Sequence, residues 1–392
     1  MLRTLTVMGT RPEAIKLAPL IKALEADERF ESVLCVTAQH RQMLDQVLAL
    51  FDIRPDVDLD LMRPNQDLFT LTASIIGAMK GVIQEVRPDV VFVQGDTTTT
   101  LVAALGAFYA GVPIAHVEAG LRTGNLRAPF PEEGNRCMTT RLASFHFCPT
   151  PANRDNLLRE GIAPAIVWVT GNTVIDALLW VRDKVAGMPA PQWNGCWGAA
   201  AEVVAGDLPI VLITGHRREN FGEGVRGICT AIQTLARRHP CWHFVYPVHL
   251  NPNVAGPVNE MLAGYRNVHL IGPLDYAPFV FLMNRARIIL TDSGGVQEEG
   301  PSLGKPVLVM RDTTERPEAV VSGTVKLVGT SSDTIVRNVE RLILDDAVYL
   351  AMARAANPYG DGRAAPRIIR AVLEGMTGDS DYSDGQTASA GR

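Results

Sequence analysis

The sequence predicts an α/β protein made of two doubly wound domains, each built around a parallel β-sheet. The first observation is length, because 392 residues exceed the roughly 250–300 at which a single hydrophobic core stops growing. The second is that short apolar runs alternate with longer segments of helical period, the pattern of a parallel sheet covered by helices. The third is that a new series of apolar runs follows the weakly periodic stretch 187–207. Two sheets of similar size account for this division better than one large sheet.

Each apolar run is predicted as one strand. The runs of the first half are Leu2–Met8, Ser32–Thr37, Asp89–Gln94, Val112–Val117, Phe145–Cys148 and Ile166–Val169. The runs of the second half are Ile210–Thr214, His243–Tyr246, Val268–Ile271, Ile288–Thr291, Val307–Met310 and Val325–Val328.

The order of these runs sets the expected domain boundaries. We expect an N-terminal domain over 1–170 and a C-terminal domain over 171–365, with 187–207 as an early loop of the second domain. A helix over 366–377 is expected to pack back on the N-terminal domain. The tail 378–392 is poor in apolar residues, so we expect it to be disordered.

Composition excludes several classes of function. The net charge of −5 argues against a broad nucleic-acid surface, and no apolar run approaches the roughly 20 residues that span a bilayer. The six cysteines form no C-x-x-C pair, and the N-terminus has no signal-peptide cleavage region, so we expect reduced thiols and a cytoplasmic protein. The eight histidines show no metal-binding spacing, so no metal site is predicted.

The segment 291–318 has the features of an anion site. The strand predicted at Ile288–Thr291 runs into Asp-Ser-Gly-Gly and then a potential helix, which places uncrowded backbone N–H groups at a helix N-terminus. Two carboxylates, Glu298 and Glu299, follow, and Arg316 comes after the next apolar run. A fixed cation and acids around an anion site suggest a phosphate-bearing substrate.

Carboxylates follow successive predicted strand ends of the first domain, where ligands of open α/β sheets bind. Asp96, Glu118 and Glu132 occupy these loops, and several carboxylates around one site can supply separate acid and base roles. Other interpretations stay open, because Asp96 could be a helix N-cap and Glu132 could complement a helix dipole.

The first predicted strand ends in Gly-Thr-Arg-Pro-Glu, in which Thr10 and Glu13 have capping-box spacing. Arg11 and Lys16 lie in the first turns of the helix expected there and could reach an anion. Lys16 could equally be a solvated surface residue. A cation at a helix N-terminus, such as Arg11, is unfavourable unless something negative lies nearby.

In the second domain, His216 and Arg217 follow the first predicted strand, an arrangement suited to phosphate and to proton donation by histidine. A surface basic cluster is the alternative. The glycines at 222–227 match G-x-G-x-x-G, but they do not directly follow a strand and no acidic residue closes the next one. We therefore predict no nicotinamide cofactor and interpret these glycines as a mobile loop.

The motifs, taken in order, resemble those of the non-hydrolysing UDP-N-acetylglucosamine 2-epimerases, in particular the bacterial enzymes that form UDP-N-acetylmannosamine. The resemblance covers nearly the whole chain through GTRPEAIKLAPLI, VTAQHRQMLDQVL, GDTTTTL, HVEAGLRTG, PFPEE-NR, GNTVIDAL, TGHRREN, YPVHLNPNV, TDSGG-QEEGPSLGKPVLVMRDTTERPEA and NPYGDG. It implies two Rossmann-like domains facing a cleft, as in GT-B glycosyltransferases, and a homodimer. It also implies C2 inversion without a cofactor, by elimination of UDP to 2-acetamidoglucal and re-addition, in the service of cell-surface polysaccharide synthesis.

The resemblance also implies roles for individual residues. The positions that match catalytic residues are Asp96, Glu118, Glu132 and His216, with the histidine near the diphosphate. The positions that match nucleotide-sugar contacts are Arg11, Lys16, Phe279, Ser293, Gly294, Gly295, Glu299 and Arg316. Among these, the serine-glycine turn and Arg11 would hold phosphate, Glu299 would hold ribose and Phe279 would lie near uracil.

Some family members carry a regulatory UDP-N-acetylglucosamine site, and its matching positions are Gln39, Gln42, Arg217 and His249. Two departures occur, Asn65 where some relatives carry arginine and Leu274 where others carry glutamine. The first leaves allosteric activation open. The other functions that the sequence allows are epimerisation of a modified UDP-sugar such as a diacetamido uronic acid, glycosyl transfer by a GT-B enzyme, and non-catalytic sensing of a nucleotide sugar.

Overall fold

The computed structural model describes residues 1–37, 41–61, 63, 66–187 and 194–377, without the side chains of 41–43 and 194. Gln39, Asn65, the side chain of Gln42 and the tail 378–392 therefore lie outside the described residues. The chain divides into two compact units. The N-terminal unit comprises Met1–Thr173 and the chain from Arg363, and the C-terminal unit comprises Val174–Gly362.

The N-terminal unit is built on a parallel sheet in the order β3-β2-β1-β4-β5-β6-β7. Successive strands are added on one side of β1 as far as β3, and from β4 onward they are added on its other side. Its strands are β1 (Leu2–Met8), β2 (Phe30–Val36), β3 (Val57–Asp58), β4 (Val90–Gln94), β5 (Ile114–Val117), β6 (Phe145–Cys148) and β7 (Val167–Val169). Its helices are α1 (Arg11–Glu25), α2 (Arg41–Leu50), α3 (Leu68–Val86), α4 (Thr98–Tyr109), α5 (Glu132–Leu142), α6 (Pro151–Arg159) and the C-terminal α17 (Ala364–Thr377), which contacts α1.

The C-terminal unit repeats this plan with a parallel sheet in the order β10-β9-β8-β11-β12-β13. Its strands are β8 (Ile210–Thr214), β9 (His243–Pro247), β10 (Val268–Ile271), β11 (Ile288–Thr291), β12 (Val307–Val309) and β13 (Val325–Leu327). Its helices are α7 (Thr173–Ala186), α8 (Asn194–Trp197), α9 (Ala201–Ala205), α10 (Glu223–Arg238), α11 (Pro252–Leu262), α12 (Tyr276–Arg285), α13 (Gly294–Ser302), α14 (Pro317–Val321), α15 (Ser332–Leu344) and α16 (Asp346–Ala353).

The central strands explain why continuous apolar runs predict this fold. Val90–Val93 in one unit and Ile210–Ile213 in the other are fully buried, as expected of parallel strands covered by helices on both faces. A separate hydrophobic core lies in each unit, around Val91 and Val93 in the first and around Ile213 and Leu290 in the second. None of the helices in the described part of the chain combines the length and apolarity needed to span a bilayer.

The predicted strands are confirmed, with ends that differ by at most two residues. Two expectations were wrong. The glycines at 222–227 are not a mobile loop, because Gly222 caps α10 at φ 79° and the others lie in the helix. The described part of 187–207 is not simply a loop, because it contains α8 and α9 with Trp197 fully buried.

Candidate active site

The carboxyl ends of β1, β4 and β5 are neighbours in the N-terminal sheet. The order in which the chain adds strands to this sheet reverses between β1 and β4. The loops that follow these strands carry Arg11, Asp96 and Glu118. Open α/β sheets bind ligands at this kind of reversal, because the loops on either side diverge and leave a crevice.

A buried carboxylate ties the first two loops together. Glu13 forms the predicted capping box with Thr10, whose backbone N–H donates to it at 2.7 Å. The same carboxylate accepts hydrogen bonds from the hydroxyls of Thr97 at 2.8 Å and Thr100 at 3.2 Å, at the start of α4. Burial raises the pKa of Glu13 despite these donors. The backbone beside Arg11 is thereby fixed against the backbone beside Asp96.

Asp96 lies in a basic and largely buried environment. Its side chain is 26% exposed, so it can be reached from solvent, and its carboxylate pairs with Arg136 of α5. Desolvation raises the pKa of Asp96 and outweighs the attraction of Arg136 and Lys16. The N-cap of α4 is Thr97, whose hydroxyl accepts from Thr100 N–H at 3.1 Å, so the N-cap interpretation of Asp96 was wrong.

Glu118 is held by two side chains and by an uncommon backbone conformation. Its carboxylate forms an ion pair with Lys16 at 2.5 Å and accepts a hydrogen bond from Gln94 at 2.8 Å. Its φ of 65° lies in the left-handed region, which costs a non-glycine residue about 1–3 kcal/mol and is concentrated at functional sites. Lys16, interpreted from sequence as a substrate contact or a surface residue, is therefore already engaged with Glu118.

The two glutamates at the start of α5 have different environments. Glu133 is buried and accepts hydrogen bonds from the backbone N–H groups of Thr123 and Gly124, each at 3.0 Å, so it stabilises the preceding loop. Glu132 is the first residue of α5 and is half-buried. Of the two, Glu132 is the carboxylate left accessible for chemistry.

In the C-terminal unit, Asp292 organises the turn that carries His216 and Arg217. Its buried carboxylate accepts hydrogen bonds from the backbone N–H groups of both residues at 2.9 Å and from the Asn220 amide at 3.1 Å. The His216 ring lies 3.5 Å from the same carboxylate and stacks on His249, with 5.5 Å between ring centroids. Desolvation lowers the pKa of His216, although Asp292 alone would raise it. Arg217 and His249 thus lie beside His216.

The residues of the predicted anion site lie together at the N-terminus of α13. Ser293 is the N-cap and its backbone N–H donates to the Thr291 hydroxyl at 3.0 Å. A Cβ atom on Gly294 would lie 2.7 Å from the Arg316 guanidinium, so glycine is required for the arginine to approach the helix start. Arg316 is fixed by Glu298 at 2.5 Å. A guanidinium and free helical N–H groups at one place suit a phosphate.

Glu299 lies on α13 and is held by a tyrosine of a neighbouring helix. The Tyr276 hydroxyl donates to Glu299 at 2.7 Å, and both side chains are buried. Phe279 follows one turn later on α12 and is half-buried. Gly295 lies on the same face of α13 as Glu299, one turn earlier, and a Cβ atom there would lie 3.7 Å from the Glu299 carboxylate.

Sequence reasoning missed four side chains that hold the site, which are Gln94, Arg136, Tyr276 and Asp292. Asp292 could have been found, because a carboxylate directly after a buried strand needs partners. The others gave no usable signal, because their contacts join loops or helices that are distant in sequence. Within the described residues, no three His, Cys, Asp or Glu side chains are grouped so that they could hold a metal ion.

Comparison with known proteins gives consistent matches. The family model for UDP-N-acetylglucosamine 2-epimerase matches residues 22–373. The chain is 59% identical to a probable UDP-N-acetylglucosamine 2-epimerase of Ralstonia nicotianae, over 95% of this chain and 99% of the relative. It is 57% identical to the UDP-N-acetylglucosamine 2-epimerase of Escherichia coli K12, over 95% and 98%. The crystal structure of the Neisseria meningitidis UDP-GlcNAc 2-epimerase bound to UDP-GlcNAc superposes with a TM-score of 0.85 at 50% identity, covering 95% of this chain and all of that one.

Proposed function

This chain belongs to the UDP-N-acetylglucosamine 2-epimerase family, and we propose that it interconverts UDP-N-acetylglucosamine and UDP-N-acetylmannosamine by eliminating UDP and adding it back. In the first step the C2–H bond breaks, a carboxylate takes the proton, and the C1–O bond to UDP breaks with its electron pair leaving on UDP. The product is 2-acetamidoglucal, with a double bond between C1 and C2. In the second step C2 receives a proton on the opposite face and the UDP oxygen rejoins C1.

The observation that supports this chemistry most directly is the cluster around the reversal point of the N-terminal sheet. Asp96 follows β4, Glu118 and Glu132 follow β5, and the first two of these carboxylates have different surroundings. Asp96 has a raised pKa because it is buried, whereas Glu118 forms an ion pair with Lys16 at 2.5 Å. Carboxylates in unequal environments are what an acid and a base at neighbouring positions require.

The residues of the C-terminal unit suit the departing diphosphate and the nucleoside. His216 can donate a proton to the leaving oxygen, while Ser293, Gly294 and Arg316 hold phosphate oxygens. Glu299, which Tyr276 orients, accepts hydrogen bonds from the ribose hydroxyls. The Neisseria relative crystallised with UDP-GlcNAc, which supports this ligand for the present chain. Arg11 adds a further cation for the diphosphate, and Phe279 packs on uracil.

Three further features are part of the proposal. The protein acts as a homodimer and supplies UDP-N-acetylmannosamine for cell-surface polysaccharide synthesis. The segment 1–170 carries the catalytic carboxylates and 171–365 binds UDP. Arg217 and His249, which lie beside His216, are proposed to contact a second UDP-N-acetylglucosamine that regulates turnover.

The test is the kinetics of Asp96→Asn and Glu118→Gln, with interconversion of the two nucleotide sugars followed by proton NMR. Each variant should lower kcat by about 10²–10⁴-fold, since this is the usual contribution of a positioned acid or base. Glu31→Gln is the matched control, because Glu31 lies near the amino end of β2 in an exposed ion pair with Arg3. It should leave kcat unchanged, and near-normal activity in both test variants would remove those carboxylates from the mechanism.

The nucleoside part has its own test in Tyr276→Phe. Loss of a hydrogen bond to a charged group is worth about 1.5–3 kcal/mol, so the Kd for UDP should rise about 10–100-fold by calorimetry. Tyr265→Phe is the control, because Tyr265 makes its hydrogen bond with Arg237 on the surface. An unchanged Kd in Tyr276→Phe would show that Tyr276 does not orient Glu299 for ribose binding.

A further inference from the structure

His116 is a buried histidine that lies between the loop of Glu118 and the loop of Asp96. It lies on β5, two residues before Glu118, and its side chain is fully buried. Its Nε2 atom lies 2.8 Å from the backbone carbonyl oxygen of Gly95 on the neighbouring loop. A carbonyl oxygen only accepts, so Nε2 carries the hydrogen and donates it.

The Gly95 carbonyl belongs to the peptide group that joins Gly95 to Asp96. Gly95 has a φ of 73°, and glycine gives this peptide more rotational freedom than any other residue would. The Gly95 N–H donates to the Val117 carbonyl at 2.9 Å, so β5 holds both sides of Gly95. The next carbonyl, that of Asp96, accepts from the Asn135 amide at 2.9 Å. The peptide groups before and after Asp96 are therefore each held by a side chain.

The ring performs this task as a neutral group. Burial lowers the pKa of His116 to about 4, so at neutral pH it adds no positive charge beside Asp96 and Arg136. Its Nδ1 atom is buried without a partner among the described residues. Leaving such a nitrogen unpaired costs about 1–3 kcal/mol, a cost that an apolar side chain would avoid. The hydrogen bond to Gly95 is thus the specific contribution that this residue makes.

We propose that His116 is a positioning residue that sets the orientation of the Asp96 carboxylate by hydrogen bonding to the peptide group before it. The proposal rests on the proposed function, in which Asp96 takes part in proton transfer at C2. A displacement of about 1 Å at a reacting group can lower the rate of an enzyme by about 10²-fold. Loss of the His116 hydrogen bond should therefore appear in kcat and leave nucleotide-sugar binding largely intact.

The test compares His116→Gln with His116→Asn. The amide nitrogen of glutamine reaches the position of Nε2, whereas that of asparagine corresponds to Nδ1 and falls short of the Gly95 carbonyl. The His116→Gln variant should keep kcat within about 5-fold of the wild-type value. Asparagine should lower kcat about 10–100-fold with KM changed by less than about 2-fold, because a positioning defect acts on the transition state. His116→Leu, which leaves no buried amide, should match asparagine and serves if the asparagine variant does not fold.

His146→Asn is the matched control. His146 pairs with His116 across β5 and β6 and is equally buried, so it reports the cost of losing a buried imidazole at this place. It should lower the melting temperature and leave kcat within about 2-fold. Equal activity of the glutamine and asparagine variants, at either level, would overturn the proposal. A wild-type protein without epimerase activity would instead overturn the proposed function.

Discussion

Replacing Asp292 by asparagine should destabilise the C-terminal unit by several kcal/mol, although the two side chains have the same shape. The asparagine amide can be placed in two orientations, and the better one puts its oxygen at the position of Oδ2. There it still accepts hydrogen bonds from the N–H groups of His216 and Arg217 and from the Asn220 amide. A hydrogen bond to a charged group contributes about 1.5–3 kcal/mol and a neutral one about 0.5–1.5 kcal/mol. Changing three hydrogen bonds from the first kind to the second therefore costs roughly 3–4 kcal/mol of stability. The new amide NH₂ then faces the His216 N–H, which lies 3.1 Å from Oδ1, and adds a donor–donor repulsion.

Urea denaturation followed by tryptophan fluorescence and circular dichroism measures this change in the free energy of unfolding. Asp207→Asn is the control, because Asp207 is exposed and its replacement should change stability by less than about 0.5 kcal/mol. We also expect a lower kcat, since the hydrogen bond that anchors the His216 backbone becomes weaker. A change below 1 kcal/mol in Asp292→Asn would refute the reasoning, because the cost of burying the carboxylate would then equal what its hydrogen bonds contribute.

Two further predictions concern the histidine pair and a helical glycine. Burial lowers the pKa of His116 to about 4 and that of His146 to about 3, so below pH 6.5 the unfolded chain binds protons that the folded chain does not. Stability should therefore fall as the pH drops from 6.5 toward 4, and His146→Leu should reduce the slope by up to about 1.4 kcal/mol per pH unit in urea titrations. Gly227→Ala should lower the free energy of unfolding by about 1–3 kcal/mol, because its Cβ would lie 2.4 Å from the Thr330 carbonyl oxygen. Gly256→Ala is the control, because its Cβ meets open space and should leave stability unchanged or raise it.

Each of these predictions has a definite contrary outcome. An unchanged pH slope in His146→Leu would mean that His146 titrates alike in the folded and unfolded chains. Equal melting temperatures of the two glycine variants would mean that the start of α10 can move away from Thr330.

The strands could be predicted from sequence because parallel strands covered on both faces must be continuously apolar, as Val90–Val93 and Ile288–Leu290 are. The strand β3, Val57–Asp58, was missed because two residues carry no periodicity. The start of α10 did carry a signal that was overlooked. Val225, Ile228 and Ile232 have helical spacing and are buried, and this spacing begins inside the glycine motif.

The positions of the carboxylates could also be predicted, because the ends of neighbouring parallel strands meet at one edge of a sheet. Their partners could not, because the contacts of Arg136 with Asp96 and of Lys16 with Glu118 depend on how two helices approach the loops. The left-handed backbone at Glu118 was equally hidden, since nothing in His-Val-Glu-Ala-Gly predicts a positive φ at the glutamate as well as at the glycine.

The central claim is that C2 loses its proton to the protein and receives another on the opposite face. The most direct measurement is proton NMR of UDP-N-acetylglucosamine incubated with the wild-type protein in buffered D₂O. Elimination and re-addition predict that the UDP-N-acetylmannosamine formed carries deuterium at C2, with free UDP and 2-acetamidoglucal appearing on long incubation. UDP-N-acetylmannosamine that retains the original hydrogen at C2 would contradict the mechanism, and no conversion at all would contradict the proposed function.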